Sequence, residues 1–204
     1  ELAEPVDGPQ ITRLAAMAAR LGIALVAGFA ERDGAAIRNS LVLLRPGEAP
    51  AVYRKTHLYG DYERAIFTPG EIVPAVAAFK DMKLGFLICY DVEFPENVRR
   101  LARAGAEAVL VPTALPEGPY ARVFATRLVP VGAFENQVFV AYADHGGADA
   151  RFSYAGLSCI AAPDGRLLAA TDDDAAALLF AELDKTAYDE SRAANTYLRD
   201  LRAS

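Results

Sequence analysis

Apolar positions along this chain recur with two alternating periods. After Pro9 and before Gly22, the residues Ile11, Leu14, Ala15, Ala18 and Leu21 fall three and four apart, which predicts an amphipathic helix with a proline start and a glycine stop. Residues 23–29 then read as a short buried strand, and Glu31-Arg32-Asp33-Gly34 as a turn. Strands are expected at 37–44 and 51–54, joined by Arg45-Pro46-Gly47-Glu48. From about 56 to 73 the pattern is polar and aromatic, a loop long enough to suggest a functional segment. An apolar strand next runs into Cys89, Pro95 opens a helical spacing of Val98, Leu101 and Ala102, and 108–112 reads as a strand, a βαβ-like unit. A second helix is expected over 121–135. Strands follow near 138–142, 157–162, 166–170 and 177–183, with Pro163-Asp164-Gly165 as a turn. The polar stretch 185–204 reads as a surface helix or arm. Such alternation predicts a layered α/β fold, and the absence of repeats or linkers predicts one domain over 1–204.

Composition narrows the function classes. At 204 residues and 53% apolar, the chain can bury one good core. A net charge of -6 argues against a nucleic-acid surface, which needs a basic stripe. No apolar run approaches the ~18 residues of a membrane helix. Cys89 and Cys159 could formally pair, but nothing else suggests a secreted disulfide scaffold, so a soluble, reducing, cytoplasmic setting is expected. No Cys/His pair has metal-ligand spacing, and there is no phosphate loop or dinucleotide fingerprint; no cofactor and no metal are expected.

The chemistry-bearing stretch is Leu84-Gly85-Phe86-Leu87-Ile88-Cys89-Tyr90-Asp91-Val92-Glu93-Phe94-Pro95-Glu96. A cysteine on a strand-to-helix turn has its sulfur held at the rim of a sheet, close to backbone N–H groups that favour a thiolate and can cradle an oxyanion. The bland alternative is a buried core cysteine. A second segment upstream, Tyr53-Arg54-Lys55-Thr56-His57-Leu58-Tyr59-Gly60-Asp61-Tyr62-Glu63-Arg64, adds a lysine and a carboxylate. A Cys–His hydrolase is the rival chemistry, but His57 and His145 carry no papain-like local signature.

Together these segments resemble the carbon–nitrogen hydrolases of the nitrilase superfamily, which carry Arg-Lys-x-His-Leu around the lysine and Gly-x-x-Ile-Cys-Tyr-Asp-x-x-Phe-Pro-Glu around the cysteine. The resemblance continues through Asn39-Ser40, Thr68-Pro69-Gly70, Gly105-Ala106-Glu107, Val111-Pro112-Thr113, Phe134-Glu135-Asn136, Gly156-Leu157-Ser158 and Pro163-Asp164-Gly165. It implies a four-layer α-β-β-α sandwich and a Glu–Lys–Cys triad, with Cys89 as nucleophile and Lys55 steadying the oxyanion beside the backbone N–H of Tyr90. Glu63 is implied as a second glutamate that positions the lysine or the substrate nitrogen; the alternative is an exposed loop carboxylate. Tyr59, Thr113 and Ala114 match regions from which the family builds its substrate pocket, and Tyr62 does so too unless it is packing.

Three consequences of the resemblance remain expectations. The family's base glutamate follows its first strand, upstream of the segment similar to Pro5-Val6-Asp7-Gly8-Pro9. The first strand, first helix and base are therefore expected to lie outside this sequence, since Glu1 and Glu4 stand too near that segment. Cys89-Tyr90-Asp91 matches the amidase-like branch, implying a small aliphatic amide as substrate. The alternatives are a nitrilase, a carbamoyl-amide hydrolase, or a non-catalytic homologue. A homo-oligomer is implied as well. One departure stands out: an arginine usually precedes Phe134 by two positions, and Gly132 there leaves Glu135 without its expected ion-pair partner.

Overall fold

The computed structural model describes residues 2–202 and divides into two compact units, 1–73 and 74–204. In the first unit, α1 (Pro9–Leu21) starts on proline and ends at Gly22, whose left-handed φ of 65° turns its N–H back to Ala18 and Ala19. The strands β1 (Leu25–Asp33), β2 (Ala36–Leu44) and β3 (Ala51–Arg54) form an antiparallel meander. Ile11 and Ala18 of α1 pack on Val42 and Leu44, with Leu14, Phe29 and Val52 around them. That stripe is the predicted one, except that Leu21 stays exposed.

Glu4 ties down the start of α1. Its carboxylate accepts the N–H groups of Gln10 at 3.1 Å and Ile11 at 3.2 Å, placing an anion at the positive end of the helix. Two expectations for this unit are corrected. Glu31, Arg32 and Asp33 belong to β1, and the reversal falls at Gly34. The stretch 56–73 is not all loop, because α2 (Gly60–Ile66) lies within it.

The second unit carries a six-stranded mixed sheet in the order β11-β10-β7-β6-β5-β4. β4 (Val76–Phe79) and β5 (Met82–Phe86) form a hairpin, of which the sequence pattern showed only the second strand. A 3₁₀ turn (Cys89–Glu93) and α3 (Pro95–Arg103) then cross over to β6 (Ala108–Thr113), which is parallel to β5. The helical stretch after it runs through α4 (Ala121–Val123), a π turn (Phe124–Leu128) and α5 (Val129–Asn136). Pro130 lacks an N–H and would crowd a regular preceding turn, and the widened turn accommodates it. β7 (Phe139–Asp144) returns parallel to β6, and the central strands bury Val109, Val111, Phe139 and Val140.

The hairpin β8 (Gly146–Ala148) and β9 (Ser153–Ala155) stands apart from the main sheet, which β10 (Cys159–Ala161) and β11 (Leu167–Ala170) complete around the Gly165 turn. The strand expected at 177–183 is absent among the described residues: Leu178 and Phe180 are 84% and 80% exposed, and the segment joins no ladder. The tail folds into a short 3₁₀ turn (Thr186–Tyr188), α6 (Asp189–Ala194) and α7 (Tyr197–Asp200). It is not purely a surface arm, because Tyr188 is buried edge-on against Phe139, with ring centroids 5.3 Å apart. No described helix is long and apolar enough to cross a membrane.

Candidate active site

The predicted residues fall into two clusters, one in each unit. In the first unit, Lys55 leaves β3 with its main chain pinned on both sides. Its N–H donates to Asn39 O at 2.8 Å, and its carbonyl accepts from Gly70 N at 2.8 Å. The side chain is 1% exposed, and Nζ lies 2.9 and 2.8 Å from the two oxygens of Glu63. Glu63 also accepts the Asn39 amide at 3.1 Å and the Tyr59 N–H at 2.6 Å, so each oxygen takes two donors. A buried ion pair is tolerable only when its spare hydrogen-bonding capacity is filled in this way. Glu63 is thus a buried partner of the lysine, and the alternative of an exposed loop carboxylate is removed.

Gly70 explains why a glycine ends the Thr68-Pro69-Gly70 motif: a Cβ there would stand 2.3 Å from Arg54 O. Tyr59 is 41% exposed, and its ring meets that of Tyr62 edge-on at 6.2 Å. His57 is half-buried, with Nδ1 2.8 Å from Thr56 Oγ1.

A second buried carboxylate, missed by the sequence reading, braces the strand that leads to Lys55. Glu31 takes Arg54 Nε at 2.9 Å, the Arg54 terminal nitrogen at 2.6 Å and Ser40 Oγ at 2.6 Å. Burial pushes its pKa up, but the Arg54 guanidinium and Ser40 hydroxyl outweigh that and hold it below the ordinary value.

In the second unit, Cys89 opens the 3₁₀ turn beyond β5 with a φ of 46°, in the left-handed region that L-residues avoid. It is half-buried. The turn is built by Asp91, which is 0% exposed and accepts the Ile88 N–H at 3.2 Å. Asn97 of α3 then donates to Asp91 O at 2.8 Å, and Tyr90 packs edge-on against Phe94 at 4.9 Å. Asn97 went unmarked in the sequence; its signal is a polar residue on the inward side of a helix that begins at Pro95. Strained backbone around a reactive side chain is a recurring feature of catalytic turns.

Thr113 ends β6 buried, while Ala114 after it is exposed. Tyr142 on the neighbouring β7, paired with Val111 and so two residues along the ladder from Thr113, is 3% exposed. Burial and the nearby charges of Cys89 and Asp144 raise its pKa well above the ordinary value, although its hydrogen bond to Thr113 opposes this. Cys159, by contrast, is a core thiol: it is 2% exposed, and burial together with Asp144 pushes its pKa up to about 12. His145 is exposed, stacked edge-on with Tyr154 at 4.7 Å. The cation missing at Gly132 is supplied from another helix, since Arg99 of α3 lies 3.8 Å from Glu135.

Comparison with known proteins agrees with this architecture. The sequence profile of the family described as Carbon-nitrogen hydrolase matches residues 1–193. A Pseudomonas protegens protein named hydrolase in pqqF 5'region is 48% identical over 98% of this chain and 70% of its own length. An (R)-stereoselective amidase of a Pseudomonas species is 36% identical over 99% of this chain and 72% of its own. The amidase of Nesterenkonia sp. AN1, solved as a variant with the acetamide moiety of fluoroacetamide added covalently at its active-site cysteine, superposes with a TM-score of 0.82. It is 38% identical, covering 93% of this chain and 68% of its own. The chain belongs to the carbon–nitrogen hydrolase family and has the mixed α/β fold of its amidases. It is an enzyme of the amidase and nitrilase type.

Proposed function

We propose that the protein hydrolyses the C–N bond of a small aliphatic amide through an acyl-thioester on Cys89. The observation that carries this is the half-buried Cys89 on a left-handed strand-to-helix turn at the carboxyl end of parallel strands. Cys89 Sγ gives up its proton to a general base and attacks the amide carbonyl, forming a C–S bond and an oxyanion. Collapse of the adduct breaks the C–N bond, and the nitrogen leaves as ammonia after taking a proton. Water then attacks the thioester, releasing the carboxylate and restoring the thiol. Lys55 and the Tyr90 N–H are assigned to the oxyanion, where a fixed cation out of water is worth several kcal/mol of barrier.

Glu63 is a positioning residue in this scheme. Both its oxygens are committed to Lys55, Asn39 and Tyr59, which leaves neither available as the base. Tyr59, Thr113 and Ala114 are assigned to substrate contact. The Nesterenkonia amidase with an acetamide group on its cysteine and the Pseudomonas amidase support amides as the substrate class. Ammonia release from matched amides, nitriles and carbamoyl compounds tests it, with Cys89→Ala as control. Turnover of amides is expected. Activity confined to nitriles or carbamoyl compounds reassigns the substrate, and inactivity towards all three leaves a non-catalytic homologue.

A further inference from the structure

Asp144 occupies the last position of β7, in register with Thr113 at the end of β6. Its two carboxylate oxygens serve different segments. Oδ1 accepts the Leu115 N–H at 2.8 Å, and Oδ2 accepts the Leu157 N–H at 3.1 Å. Its main chain is held in turn by Ser158, whose hydroxyl accepts the Asp144 N–H at 2.9 Å and lies 3.3 Å from Asp144 O. Around this staple, His145 N donates to Thr113 O at 3.0 Å and Ala155 N to Leu115 O at 2.9 Å. One carboxylate thus joins the stretch that begins at Thr113 and Ala114 to the stretch that carries Gly156-Leu157-Ser158.

The chemistry here requires a carboxylate. Two main-chain N–H groups approach opposite oxygens, and an amide could satisfy one of them while turning its own NH₂ against the other. Keeping that anion half-buried is unfavourable, since burial raises the pKa of Asp144 against the pull of its N–H donors. Nothing in the ladder of β7 needs it, because backbone pairing to β6 is complete without the side chain.

We infer that Asp144 is a positioning residue that fixes the Thr113–Ala114–Leu115 backbone and thereby sets how the substrate is held. This rests on the assignment of Thr113 and Ala114 to substrate contact made above. The test compares the unaltered native protein with Asp144→Asn, measuring kcat and KM for a two-carbon and a four-carbon amide. The rate of Cys89 modification by methyl methanethiosulfonate and the melting temperature are read alongside. The expected result is a KM raised about tenfold, as the loss of one hydrogen bond to a charged group would give, with the thiol modification rate within about twofold.

An unchanged KM with a lowered melting temperature makes Asp144 a structural staple and overturns the inference. Absence of amide turnover by the unaltered protein overturns the substrate assignment first, and this inference with it. Should Asp144→Asn fail to fold, Ser158→Ala loosens the same residue from behind while keeping the carboxylate. A KM raised about threefold is then expected, and an unchanged KM overturns the inference.

Discussion

Lys55 and Glu63, eight residues apart, are buried against each other, with both carboxylate oxygens within 2.9 Å of the ammonium. The pair fixes a cation where the main chain is already clamped by Asn39 and Gly70. Removing one partner leaves the other charge buried and uncompensated, an effect of about 3–5 kcal/mol. Glu63→Ala is therefore expected to lower both stability and turnover. Lys55→Ala is expected to abolish turnover yet still fold, because Asn39 and Tyr59 continue to serve Glu63. Denaturant midpoints and ammonia release for these variants, for Lys55→Met and Glu63→Gln singly and for Lys55→Met/Glu63→Gln separate the two effects. The double variant is expected to be more stable than either corresponding single one, and strict additivity of the two losses would refute the coupling.

Gly70→Ala should act on the same cluster through the backbone. A Cβ at Gly70 stands 2.3 Å from Arg54 O and 2.9 Å from Arg54 C, which no rotamer can relieve. The strand must shift, taking Lys55 with it. Turnover is expected to fall at least tenfold while the protein stays folded, and full activity would show that the lysine tolerates displacement.

Glu31 sets part of the acid limb of stability. Its folded pKa lies below its ordinary value of 4.5, so below that pH the unfolded chain holds a proton that the folded chain does not. Stability therefore rises with pH through this window. The contribution is present above about 4.5 and is lost as pH falls through the lowered value. Glu31→Gln is expected to flatten the acid side of a melting-temperature profile measured from pH 3 to 6. A parallel profile, merely displaced, would contradict the assignment.

The limits of the sequence reading follow from the distances in sequence over which contacts form. Helix α1 was legible because Pro9 and Gly22 punctuate a clean apolar stripe. The turn at Cys89 was legible because its builders, Ile88, Asp91 and Pro95, are neighbours. Glu31 was misread as a turn residue because its charge is matched by Ser40 and Arg54, nine and 23 positions away. Helix α2 escaped notice because its single buried position is Glu63, where an apolar stripe would be expected. Asp144 gave no signal, since Leu115 and Leu157 lie 29 and 13 positions away.

Thiol chemistry distinguishes the two cysteines. Cys159 is buried with its pKa pushed up to about 12, so at pH 8 it should remain a thiol and react slowly. Methyl methanethiosulfonate is expected to modify one cysteine per chain rapidly, and Cys89→Ala to remove that phase. Rapid loss of both thiols would place Cys159 outside the core. The left-handed φ of Cys89 adds a stability signature, costing about 1 kcal/mol in any L-residue. Cys89→Gly should therefore be as stable as Cys89→Ala or more so, despite the greater freedom of glycine when unfolded.

Residues 177–183 form an apolar run that the sequence assigns to a strand and that joins no ladder among the described residues. Leu178 and Phe180 present most of their surface to solvent, and an exposed apolar segment outside any ladder invites pairing between chains. A polypeptide of these 204 residues alone is therefore expected to be poorly soluble. Leu178→Lys with Phe180→Lys should raise its soluble yield severalfold without lowering its melting temperature, because neither side chain contributes to a core. Light scattering of the two purified chains at matched concentration checks this. If the unaltered chain stays monodisperse and melts cooperatively, exposure of this run does not limit its solubility and the prediction fails.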